Sequence, residues 1–158
     1  MKQLQIEHRE WVNRKYPNQR PKIPAVGCLE EAGELVHAIL KIELVETWGE
    51  DSRHKFPALR VKLVDAIGDC GIYACSLCNA NQWDFQENWD CTDYTLTEES
   101  NPLDTAILLV QSATELALNP GSHEKLHGYL TQLKSVAWLL GLHAETAIRT
   151  TWQEVKCR

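Results

Sequence analysis

Glu30, Glu31 and Glu34 stand within one short segment, and Asp65 and Asp69 follow about thirty residues later. Both sets lie in runs whose apolar residues recur at helical spacing, and side chains three or four apart share one helix face. Two such helices side by side would point several carboxylates into one small volume, where like charges do not all stay ionised without a partner. The fitting partner is a hard divalent cation held through oxygen, Mg²⁺ first and Mn²⁺ as a substitute. Such a site does chemistry on phosphates. Acidic residues on a helix are more often a solvated face. Here two helices carry them, and the Asp pair interrupts an otherwise apolar run from Leu63 to Leu77. Gly33 and Gly68 each precede the last acid of their set, at a helix-interior cost of about 1 kcal/mol each. They are read as points of close helix approach that bring the carboxylates together.

The elements that must position these acids are all helical. A first helix is expected over residues 3–15, with Leu4, His8, Trp11 and Val12 on one side, stopped by Tyr16-Pro17-Asn18. A second runs from about Pro24 to Leu44. Its apolar stripe is Val26, Leu29, Gly33, Val36 and Leu40, with a polar stripe of Glu30, Glu34, His37 and Lys41 beside it. Residues 47–57 read as a loop. A third helix covers about Ala58 to Asn79, with Leu59, Leu63, Ile67, Cys70, Ala74 and Leu77 inward and Asp65, Asp69, Ile72 and Ser76 on another face. Residues 79–102 read as a long loop with room for a helical turn, packed down by Trp83, Phe85, Trp89 and Tyr94. Three more helices are expected over 103–118, 122–141 and 143–157. Asn119-Pro120-Gly121 and Gly141 are the stops, and Ser122 is an N-cap. No segment reads as a strand, so residues 1–158 form one all-α bundle domain.

The bulk properties narrow the function. The chain has 158 residues, 44% hydrophobic and 24% charged, with a formal net charge of −6. An acidic chain lacks the clustered Lys and Arg that a nucleic-acid polymer needs, but a nucleotide can be reached through bound metal. No apolar run nears the roughly 20 residues of a membrane span. Met1-Lys2-Gln3-Leu4-Gln5 has no apolar signal core, so the expected compartment is the cytoplasm. In that setting the six cysteines are read as reduced. Cys75 and Cys78 form a lone C-x-x-C without the second ligand pair that zinc requires.

Glu30-Glu31-Ala32-Gly33-Glu34-Leu35 and Ile67-Gly68-Asp69 resemble the MazG-like nucleoside triphosphate pyrophosphohydrolases. That all-α family carries E-E-x-x-E on one helix and E-x-x-D on the next. The likeness covers about residues 24–78; residues 80–140 carry no motif of it. The resemblance implies metal ligation by Glu31, Glu34 and Asp69, with Glu30 nearby as ligand or water-orienting base. Ala66 stands where the family has Glu, and Asp65, four residues before Asp69, is taken to substitute. Substrate contacts are implied at Lys41 and Tyr73, with His37 on the polar stripe. Trp11, His8 and Trp48 are candidates for base selection, and Lys156 or Arg158 for offsetting phosphate charge. The implied reaction is Mg²⁺-dependent cleavage of a (d)NTP to (d)NMP and pyrophosphate, in a homodimer. Two other readings stay open: a non-catalytic helical interaction module, and a redox or zinc protein using Cys75 and Cys78.

Overall fold

The computed structural model describes residues 1–47 and 55–157; Trp48, most of the expected 47–57 loop and Arg158 lie outside them. Among the described residues there are seven helices and no strand: α1 (Lys2–Lys15), α2 (Lys22–Thr47), α3 (Phe56–Asn81), α4 (Phe85–Asp90), α5 (Pro102–Leu118), α6 (His123–Leu139) and α7 (Ala144–Val155). The all-α expectation holds. None of these helices is long and apolar enough to cross a membrane.

The helix ends follow local chemistry. Pro57, expected in the loop, instead sits in the first turn of α3, where its missing N–H is not needed. The Asn101 and Ser122 side chains accept from the backbone N–H groups of Asp104 and Lys125, capping α5 and α6. Gly141, with φ +65°, turns the chain after α6. The expected loop after α3 contains α4, capped by Asp84, whose carboxylate accepts from Glu87 N. Phe85 and Trp89 are buried as foreseen, whereas Tyr94 is exposed.

α2 and α3 form the central pair. α5 packs on α2, α7 on α3, and α6 on α5, while α1 crosses α3. From residue 66 to 78 every α3 side chain is buried except Asp69 and Tyr73. A helix buried almost all round belongs at the centre, and its expected stripe from Leu59 to Leu77 is indeed inward.

Helix α2 is rotated from the expectation. Its buried residues include Ala25, Cys28, Ala32, Leu35, Ala38, Ile39 and Val45, and Leu29 and Val36 of the expected stripe are partly buried against the core, whereas Val26, Gly33 and Leu40 face outwards. The inward seam sets small Ala25, Cys28 and Ala32 beside Leu35 and Ile39, so small side chains give room for helix approach and large ones fill the core. The glycines also differ from expectation. A Cβ on Gly33 would meet nothing within 4 Å. One on Gly68 would lie 1.9 Å from Thr151 Oγ1 and 3.0 Å from the Ala147 carbonyl oxygen. Gly68 therefore seats α7, not α2, against α3.

Candidate active site

Asp69 and Tyr73 lie four residues apart on α3 and open onto one side of the helix pair. There they line a hollow of about 710 Å³ with Glu31 of α2, Trp11 and Lys15 of α1, and Tyr16, Asn18 and Gln19 of the α1–α2 connection. The hollow has an acidic end, aromatic walls and, among the described residues, the cation of Lys15.

At the acidic end Glu31 is half-buried. Burial, followed by the charges of Asp69, Glu34, Glu30 and Asp65, pushes its carboxyl up to about 7. Acids from both sequence clusters therefore share one electrostatic neighbourhood across the α2–α3 seam. Asp69 acts most strongly of the four and Asp65 least. Asp65 is exposed and lines a different hollow, beside Thr150, Thr151 and Glu154 near α7. Ala66, the position of the missing Glu, is buried in the core. Glu30 and Glu34 are exposed on α2.

These oxygens suit Mg²⁺ in kind, being hard and anionic, and a cation there would relieve the repulsion that raises Glu31. Among the described residues, no three His, Cys, Asp or Glu side chains already stand close enough to share one ion. Binding would have to draw Glu34 or Glu30 inward beside Glu31 and Asp69.

The aromatic walls are held from behind. The Trp11 ring meets Trp152 edge-on at 6.1 Å and Tyr16 at 6.0 Å, and Lys15 Nζ lies 4.9 Å from its centroid. His8 sits 5.2 Å from the Trp152 ring. It is buried, and its Nδ1 is 3.1 Å from Asn79 Nδ2. That amide nitrogen also donates to the Gln5 carbonyl, so Nδ1 accepts and the ring proton is on Nε2. His8, buried as it is, also lines the hollow, as a neutral ring beside Trp11. The Tyr73 ring packs against Gly27, where a Cβ would fall 2.2 Å from its Cδ1. Burial, then Glu31, Glu30 and Asp69, push its phenol above the ordinary value. On the far side Ser76 Oγ donates to Gln19 Oε1 at 3.0 Å.

The structure thus gathers Glu31, Asp69, Tyr73 and Trp11. His37 and Lys41 are exposed further along α2 and do not line the hollow. Lys156 is engaged by Glu7 at 3.4 Å. The cation that does line the hollow is Lys15, which sequence reasoning passed over although it stands four residues after Trp11 on the same helix face. In the sequence Tyr16 and Asn18 mark only a helix stop, and Gln19 carries no signal. Cys75 and Cys78 are buried in α3, and burial pushes both thiols up, Cys78 to about 12. Reactive or zinc-binding thiols need the opposite shift.

Compared with known proteins, the chain matches no protein family, no curated protein and no solved structure. Fold and site together define a class: an all-α protein with a hollow that is acidic at one end and aromatic at its walls.

Proposed function

We propose that this chain is a Mg²⁺-dependent nucleoside triphosphate pyrophosphohydrolase of MazG-like type, cleaving a (d)NTP to (d)NMP and pyrophosphate. The observation that carries this reading is the meeting of Glu31 and Asp69, from two separate acidic motifs, at one end of a hollow whose walls are Trp11 and Tyr73. When bound, Mg²⁺ supplies the charge that holds the triphosphate and polarises the α-phosphate. Glu31, Asp69 and Glu34 would hold it. A carboxylate of the Glu30–Glu31 pair would take the proton of the attacking water. Trp11 and Tyr73 offer faces on which a nucleobase stacks, and Lys15, which also lines the hollow, offsets phosphate charge.

A panel of ribo- and deoxyribonucleoside triphosphates, assayed for pyrophosphate with and without Mg²⁺, tests the reading. At least one should be turned over. Asp69→Asn and Glu34→Gln should each lower turnover beyond the roughly 10–100-fold typical of metal-supporting groups. Folded protein inactive on the whole panel would refute it. That result would favour the second reading, an interaction module. Its basis is the exposed apolar side chains Val26, Leu40 and Leu44 of α2 and Ile107, Leu108 and Leu118 of α5, which the proposed homodimer would also use.

A further inference from the structure

Residues 123–127 read His-Glu-Lys-Leu-His at the start of α6. Two histidines four apart on a helix project from one face, the spacing with which helical histidine pairs hold zinc. The spacing alone is weak; the contacts add to it. Asn88, buried on α4, donates through Nδ2 to the Asp84 carbonyl at 2.7 Å, which fixes its amide so that Oδ1 faces α6. His123 Nδ1 lies 3.1 Å and His127 Nε2 2.9 Å from that one oxygen. Two imidazole nitrogens therefore already converge on a single point. They do so at the wall of a hollow of about 300 Å³ that Cys91 and Glu87 also line. The Trp83 ring stacks on His123 at 3.9 Å.

We propose that His123 and His127 form a binding site for a borderline divalent cation of the zinc class, with Asn88 Oδ1 as the neighbouring oxygen. Imidazole nitrogen selects Zn²⁺, Ni²⁺ or Cu²⁺ and is a poor ligand for Mg²⁺, so this site is chemically separate from the carboxylates of Glu31 and Asp69. As donors to Asn88, the two rings carry protons on His123 Nδ1 and His127 Nε2. Ligation moves each proton to the other ring nitrogen, leaving both rings neutral. Among the described residues no third His, Cys, Asp or Glu closes the set, so water completes the coordination and binding is weaker than in a four-ligand structural site. The Glu124 carboxylate lies 3.6 Å from Lys125 Nζ and is 86% exposed, and no catalytic part is assigned to it. A bound ion would tie α4 to α6.

The test is calorimetric titration of the chelator-treated full chain with ZnCl₂ in excess Mg²⁺. One Zn²⁺ should bind, and His123→Ala and His127→Ala should each weaken it about tenfold or more, with helicity unchanged by circular dichroism. Asp69→Asn should retain it. Cu²⁺ should quench Trp83, and Trp83→Phe should lose that part of the quenching. Zinc binding undiminished in the doubly substituted chain, zinc binding lost in Asp69→Asn, or no zinc binding by the unsubstituted chain would overturn the proposal. None of these outcomes depends on nucleotide turnover.

Discussion

Glu31→Gln tests the carboxylate geometry without any substrate. In the folded chain the Glu31 carboxyl is pushed from 4.5 to about 7, by burial first and then by Asp69, Glu34, Glu30 and Asp65. The unfolded chain releases this proton near 4.5 while the folded chain keeps it to about 7, so the folded state binds more protons across that window. Stability therefore falls as pH rises from 4.5 to 7. In a dry site the whole displacement would be worth about 3.4 kcal/mol. Water reaches this half-exposed group and screens its neighbours, which leaves about 1–2 kcal/mol. Glutamine keeps the shape and removes the charge. The metal-free variant should match the parent below pH 4.5 and exceed it by about 1–2 kcal/mol above pH 7, or about 3–6 °C in Tm for a chain of this size. Urea unfolding in chelator at half-unit pH steps measures the difference curve, in which pH effects from other groups cancel. Mg²⁺ should raise the stability of the parent and much less that of the variant. A difference curve flat between pH 4.5 and 7.5, or one sloping the other way, would refute the claim that acids from the two helices converge.

His8 carries the opposite sign. Burial pushes its imidazole down from 6.5 to about 4, so the unfolded chain binds the extra proton and the parent should lose about 2–3 kcal/mol as pH falls through that window. A His8→Phe chain whose unfolding kept this acid slope would remove His8 as its source. Gly68→Ala puts a methyl group against Thr151 and the Ala147 carbonyl, and thermal unfolding should show a loss of about 1–3 kcal/mol. Gly33→Ala, on the exposed face of α2 with open space around it, should instead gain about 0.5–1 kcal/mol by helix propensity. Equal effects from the two substitutions would contradict the roles assigned to these glycines.

Much of this was legible without coordinates because it is local. Ser122 and Gly141 mark the ends of α6 through cap and turn chemistry, and the Leu59-to-Leu77 spacing located the inward face of α3. The i, i+4 relation that puts Asp69 and Tyr73 on one side of that helix follows from its 3.6-residue period alone. Other features needed the neighbours. Spacing on α2 is compatible with two adjacent seams, and the choice of Ala25, Cys28 and Ala32 over Val26, Gly33 and Leu40 depends on how closely α3 and α5 approach. Gly68 looks the same in sequence whether it admits α2 or α7. Lys15, Tyr16 and Gln19 share a hollow with the acidic pair only because α1 packs on α3 beside them, a long-range placement that no local rule encodes. The chain's own pattern thus determined which residues are helical and which acids stand together on each helix. Packing decided which of those acids meet across the seam, and what else faces them, because the rotation of a helix about its axis is set by the partner it packs against.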